Sequence, residues 1–172
     1  YSLIREPQIK HVSQLIGEHT RIFLYGFGSS GLAAQEFQLR LLRLGMDGEA
    51  ITELHQMVLN EARITNACLV IGISLSGATR ELIDALDRAK ARGAAVIYLT
   101  SSNAEREKRT YEEIVLAPVK KNLEYGNVIS PQFPILLILD LIYAQLLKED
   151  RRSTEAQYDT HIWERIKDYH VG

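Results

Sequence analysis

Three short runs, Arg21–Tyr25 (RIFLY), Cys68–Ile73 (CLVIGI) and Ala95–Leu99 (AVIYL), are apolar on almost every residue and rich in β-branched or aromatic side chains. A strand that is apolar on both faces has to be covered on both faces. Stretches of helical period lie between these runs. In Leu32–Leu44, Ala33, Phe37, Leu41 and Leu44 share one face, and Gly45 follows where a C-cap is wanted. In Ala78–Ala91, Leu82, Ala85, Leu86 and Ala89 share a face, with Gly93 beyond the end. Weaker strands are expected at Glu49–Ile51 and Ile114–Leu116, and a short helix at Glu53–Asn60. An apolar helix is expected at Gln132–Leu147, with Pro131 and Pro134 confined to its first turn. Residues 1–20 read as a leading helix that Pro7 disrupts early. Such alternation implies a three-layer α/β/α sandwich on a five-stranded parallel sheet of flavodoxin-like order 2-1-3-4-5.

Composition narrows the field further. The 172 residues are 46% hydrophobic and 24% charged, with a net charge of −2, which excludes a disordered or fibrous chain. One domain is the natural expectation at this length, with residues 21–148 as its core and 149–172 as a polar tail. Without a basic excess, this segment is not expected to grip nucleic acid itself. Cys68 is the sole cysteine and lies in an apolar run, so it reads as buried filler rather than a reactive thiol. The uncharged stretch Tyr125–Leu139 holds two prolines and is too short to span a bilayer. No signal peptide is visible, so a reducing cytoplasm is the expected compartment. The first residue is Tyr1 rather than Met, which leaves room for a further domain upstream.

Two strand-to-helix turns carry the chemistry. Gly26-Phe27-Gly28-Ser29-Ser30-Gly31 follows the first strand, and Ser74-Leu75-Ser76-Gly77-Ala78-Thr79 follows the third. Main-chain N–H groups at a helix start point outward at the positive end of the dipole, and hydroxyls add neutral donors. That combination suits a phosphate or another compact oxyanion. A Walker-type loop is excluded, because neither turn contains Gly-Lys-Ser/Thr. Ser, Thr and Gly also favour helix caps whatever the function. Two such turns beside the topological switch point of a 2-1-3-4-5 sheet, where ligands bind, favour the oxyanion site over capping alone. Gly26-x-Gly28-x-x-Gly31 also matches the dinucleotide fingerprint, with Glu53 placed 22 residues after Gly31 for a ribose. That reading leaves the second hydroxyl turn unexplained and ranks lower. No histidine or cysteine spacing suggests a metal, and His161, His170 and Trp163 fall in the polar tail.

These residues also carry a resemblance. Gly26-Phe27-Gly28-Ser29-Ser30, Ile73-Ser74-Leu75-Ser76-Gly77-Ala78-Thr79 and Ala89–Ala94 leading into Val96–Ser101 are similar to the SIS (sugar isomerase) domain over nearly all of residues 20–148. The sequence most resembles the C-terminal effector domains of RpiR-type bacterial transcription regulators, which carry a helix-turn-helix domain ahead of them. The resemblance implies a phosphosugar site drawn from Gly28, Ser29, Ser30, Ser74, Ser76, Gly77, Thr79 and Thr100. His55 and Glu124 are possible further contacts. It implies no cofactor, a homodimer, and DNA binding only through a domain outside this chain.

One departure bears on catalysis. Isomerases of the arabinose-5-phosphate type carry Glu-x-x-His between strands two and three, whereas this chain has Thr52-Glu53-Leu54-His55. On a helix, a one-residue shift turns a side chain by about 100°. A sensor rather than an isomerase is therefore expected, with the isomerase as the alternative and no catalytic residue assigned. The apolar surplus of Gln132–Leu147 needs burial by the leading helix or by a second subunit, and a dimer through this helix is the expectation.

Overall fold

A computed structural model describes residues 4–75, 79–102, 108–117 and 132–149. The strands are β1 (Arg21–Gly26), β2 (Gly48–Ile51), β3 (Cys68–Ser74), β4 (Ala95–Thr100) and β5 (Glu113–Leu116), all parallel in the order β2-β1-β3-β4-β5. The helices are α1 (Glu6–Glu18), α2 (Gly28–Arg43), α3 (Leu54–Asn60), α4 (Arg80–Ala91) and α5 (Phe133–Glu149). The expected fold class and strand order are those observed.

Side chains alternate across the sheet with period two. Ile22, Leu24, Leu69, Ile71, Ile73, Ile97, Leu99 and Val115 pack under α1, α2 and α5. Phe23, Tyr25, Val70, Val96, Tyr98, Ile114 and Leu116 pack under α3 and α4. Two separate cores therefore sandwich one sheet, which explains why the central strands read as continuous apolar runs. No described helix is long and apolar enough to cross a membrane.

Several expected boundaries move. Pro7 sits in the first turn of α1 instead of disrupting it. Proline tolerates that position because the first amides of a helix have no intrahelical acceptor. The helix α2 begins at Gly28, four residues before the periodic apolar stripe, so Ser29 and Ser30 lie in its first turn. Periodicity detects only the part of a helix that packs, and the start of α2 instead leans on close backbone approach. A Cβ on Gly26 would stand 2.8 Å from the Ser30 carbonyl oxygen, a distance only glycine permits. Gly28 has φ +55°, the left-handed region where glycine is unstrained.

The surplus on α5 is largely taken up within the chain. Ile135, Ile138, Leu139, Ile142 and Leu146 are buried, and α1 contributes Ile9, Val12, Leu15 and Ile16 to the same core. Phe133, Leu141 and Leu147 remain exposed on α5. Leu32, Leu39 and Leu42 are exposed on α2 as well.

Candidate functional site

Parallel register brings the two turns side by side. Gly26 at the end of β1 pairs with Ile73, one residue short of Ser74. Ser74 at the end of β3 pairs with Thr100 at the end of β4. The helix after β1 joins one core and the helix after β3 joins the other. The chain thus departs to opposite faces from adjacent strands, which opens a crevice at their carboxyl ends.

Both helix starts leave donors open. Phe27 is the N-cap of α2 and Thr79 the N-cap of α4, and neither makes a side-chain capping hydrogen bond. The later amides are already spent: those of Ser30 and Gly31 donate to the Phe27 carbonyl, and those of Leu82 and Ile83 to the Thr79 carbonyl. Hydroxyls chosen for capping would be expected on the first-turn amides. Here they are not, which leaves the dipole ends of α2 and α4 facing the crevice.

The hydroxyls divide into two kinds. Ser30 is buried to 9% exposure in the first turn of α2, and Ser29 is half-buried. Ser74 is 4% exposed, and its hydroxyl lies 3.4 Å from the Thr79 hydroxyl, within hydrogen-bond reach. That contact ties the end of β3 to the start of α4. Thr100, by contrast, is fully buried, and its Oγ1 accepts the Ser102 amide at 3.1 Å. It supports the turn after β4 from inside rather than offering a donor at the surface. Ser76, Gly77 and Glu124 lie outside the described residues, as do His161, Trp163 and His170.

Other expected contacts stand further out. Glu53 is the exposed N-cap of α3, and His55 is exposed in that helix's first turn. Thr52, where the isomerase pattern has its acid, packs against the start of α2: a Cβ on Gly31 would meet its Cγ2 at 3.0 Å. Two residues escaped the sequence reading. Arg80 opens α4 as an exposed cation immediately after Thr79, and adjacency to the turn was the available signal. Ser101 donates its hydroxyl to the Leu75 carbonyl, a contact set by pairing of β3 with β4 and invisible without it.

Beneath the crevice, on the α3 side, burial raises the Tyr25 phenol above its ordinary range. Its oxygen accepts from Asn60 Nδ2 at 2.8 Å. This neutral pair braces the end of β1 and adds no charge. Among the described residues no group of three His, Cys, Asp or Glu side chains is placed to hold a metal. Two described clefts lie elsewhere: one of about 380 Å³ between the start of α1 and β5, and one of about 350 Å³ between α1 and α5.

Known proteins share this fold. An uncharacterized HTH-type transcriptional regulator from Haemophilus influenzae is 31% identical over 147 residues, covering 86% of this chain. The chain spans 51% of that relative's length. Among solved structures, the sugar isomerase domain of an RpiR transcription factor from Sphaerobacter thermophilus superposes with a TM-score of 0.79. It is 19% identical and covers 97% of this chain and 89% of its own. The Vibrio vulnificus NanR protein, solved in complex with ManNAc-6P, has the same TM-score of 0.79 at 22% identity, covering 96% of this chain and 61% of its own. The fold is shared with enzymes too. Phosphoheptose isomerase GmhA from Neisseria gonorrhoeae is 18% identical, with a TM-score of 0.69 over 83% of this chain and 87% of its own. The SIS domain family model matches residues 14–135, a span that holds both turns, all five strands and the helices between them, and the chain belongs to that family.

Proposed function

We propose that this chain is the phosphosugar-sensing domain of an RpiR-type transcriptional regulator, working in the cytoplasm. The observation that carries the reading is the pair of uncapped helix starts, α2 and α4, converging on one crevice with Ser30, Ser74 and Thr79 beside them. A phosphate there receives main-chain donors at two dipole ends plus neutral hydroxyls. Gly28, Ser29, Ser30, Ser74 and Thr79 form the described part of the contact set, with Ser76 and Gly77 added from the sequence. His55 and Glu124 are candidates for the sugar hydroxyls. Support for sensing comes from the HTH-type regulator that matches most of this chain and from NanR, whose structure holds ManNAc-6P.

The site binds without turnover in this reading. Aldose–ketose isomerisation needs a base held against adjacent carbons. Glu53 is instead exposed at a helix cap, and Thr52 is packed on Gly31. The protein acts as a homodimer, and DNA is contacted through a helix-turn-helix domain outside this chain.

Calorimetry with ManNAc-6P, arabinose 5-phosphate and other hexose or amino-sugar phosphates tests the site. At least one binds at millimolar affinity or better, and its unphosphorylated sugar does not. Ser76→Ala combined with Thr79→Val weakens binding by about 2–3 kcal/mol, the loss of two hydrogen bonds to a charged group. Unchanged affinity in the double variant would sink the assignment. Proton NMR in deuterated water then separates sensor from isomerase. Deuterium entering the bound sugar at the carbon beside its carbonyl identifies an enzyme.

A further inference from the structure

We propose that α2 docks antiparallel on the α2 of a second copy of this chain, about a two-fold axis, and that this brings Arg43 of the partner subunit beside Ser29 at the crevice. The role of that arginine towards a ligand rests on the phosphosugar reading above. The docking itself does not.

The helix α2 is apolar on two opposite faces. Ser30, Ala33, Ala34, Phe37 and Leu41 are buried on the face turned to the core. Successive residues turn by about 100° around a helix, so Leu32, Leu39 and Leu42 fall on the far side. They are 57%, 58% and 66% exposed. Together with exposed Gln35 they follow the alternating three- and four-residue spacing of a coiled-coil seam. A helix that only covers a sheet needs one apolar stripe, and α2 already has it in Phe37 and its neighbours. The second seam has the form that receives another helix.

A second α2 fits it. In antiparallel two-fold pairing, Leu32 meets the partner's Leu42 and Gln35 meets the partner's Leu39, so every seam residue has a counterpart. The two helix dipoles then run head to tail. Three leucines alone fall short of the roughly 800 Å² per partner that a stable dimer buries. The neighbouring α5 enlarges the surface with exposed Phe133 and Leu147. Arg40 ties the two helices together, meeting Asp140 at 2.7 Å and standing 5.0 Å over the Tyr143 ring.

Charge links this interface to the crevice. Ser29, Glu36 and Arg43 recur every seven residues along one flank of the seam. Antiparallel two-fold pairing sets that flank against itself, end to end. Glu36 is neutralised within its own chain by Arg40 at 2.9 Å. Arg43, exposed in the last turn of α2, then comes opposite the partner's Ser29 in the first turn. An empty crevice meets this cation with the positive end of a helix dipole, and a bound phosphate meets it with negative charge. Bound phosphate therefore strengthens association, and the dimer binds phosphate more tightly by the same factor.

Sedimentation equilibrium of the chain and its variants, with thermal unfolding as the check on folding, tests the proposal. The parent is dimeric at micromolar concentration. Leu39→Glu, at an exposed position, leaves the melting temperature in place and weakens association about 100-fold, as loss of a central anchor does. Leu141→Glu, beside the α1–α5 groove, changes association by less than about fivefold. Leu32→Lys and Leu42→Glu are each monomeric alone and associate when mixed, because the new lysine faces the new glutamate across the antiparallel seam. Saturating ManNAc-6P, or inorganic phosphate in its place, strengthens association of the parent about tenfold, and Arg43→Gln removes that gain. A monomeric parent, a Leu39→Glu variant as dimeric as the parent, or dissociation by Leu141→Glu instead overturns the docking. Single variants that stay monomeric on mixing overturn the antiparallel register. Association indifferent to bound phosphate overturns the placing of Arg43. A chain that binds neither ManNAc-6P, nor any other sugar phosphate, nor inorganic phosphate refutes the sensor reading, and the docking is then decided by Leu39→Glu and the mixture alone.

Discussion

The two ends of the sheet are built from different chemistry. At the amino ends, charges are paired, Arg21 with Asp47 at 3.2 Å and Lys90 with Glu112 at 2.8 Å, and the His11 ring lies 2.6 Å from the Glu113 carboxylate. Adjacent carboxylates at the start of β5 reach in opposite directions. Glu112 accepts from Lys90 and the Val96 amide, while Glu113 accepts from Gln8 and His11 of α1. Both helical layers are thereby fastened to one edge strand. At the carboxyl ends the contacts are hydroxyl to hydroxyl, hydroxyl to carbonyl and amide to hydroxyl. None of the described ion pairs lies there, although Glu53, Arg80 and Glu81 are nearby and exposed. One end spends its charges on holding the layers together. Among the described residues the other is held by glycine and neutral hydrogen bonds, the chemistry that the proposed anion site calls for.

The largest expected effect breaks the carboxyl end. Gly26→Ala places a methyl 2.8 Å from a main-chain oxygen that cannot move without shifting the start of α2. It should destabilise the fold by about 3 kcal/mol. In thermal unfolding that is a drop of roughly 6–12 °C for a domain of this size. A variant as stable as the parent would mean the turn yields freely and is no rigid cradle. Gly28→Ala is milder. Its Cβ meets nothing within 4 Å, so only the left-handed backbone at φ +55° is penalised, by about 1–2 kcal/mol in denaturant titration.

The next effect lies at the amino end and depends on pH. Burial raises the Glu112 carboxyl, but hydrogen bonds from Lys90 and the Val96 amide outweigh it and leave the pKa below the ordinary 4.5. A carboxyl depressed in the folded state gives stability that is complete above its unfolded pKa and is lost as pH falls through the folded one. Glu112→Gln should therefore cost about 1 kcal/mol at neutral pH, with the gap to the parent closing below about pH 4. A gap that does not change with pH would show that the carboxylate charge contributes nothing. The smallest effect is that of His55→Ala. The ring is exposed on α3, so stability should stay within about 0.5 kcal/mol of the parent. Any loss of ligand affinity in that variant reports direct contact with the sugar.

Strand runs such as Cys68–Ile73 and Ala95–Leu99 were legible because burial on both faces leaves no polar alternation to read. The start of α2 was not, because Gly28–Gly31 approaches backbone and Thr52 rather than presenting an apolar stripe. The leucines of α5 were legible as a surplus, yet the sequence offered two ways to bury it. Packing with α1 through Ile9, Val12, Leu15 and Ile16 takes most of it and leaves Phe133, Leu141 and Leu147 outside.

By itself the sequence determined the element order, the two-sided burial of the sheet and the location of two donor-bearing turns. These are local properties, carried by side-chain periodicity and by glycine and hydroxyl residues at strand ends. Only the tertiary structure decided which hydroxyl does what. Thr100 and Ser101 are adjacent and chemically alike, yet one is sealed beneath the turn and the other reaches Leu75 on the neighbouring strand. That division depends on the register of β3 against β4, set by packing between residues far apart in the chain. Ser74 and Thr79 are likewise drawn together at 3.4 Å by the departure of α4 towards its own core. Local pattern places a hydroxyl at the end of a strand, and non-local packing decides whether it faces a ligand or its neighbour.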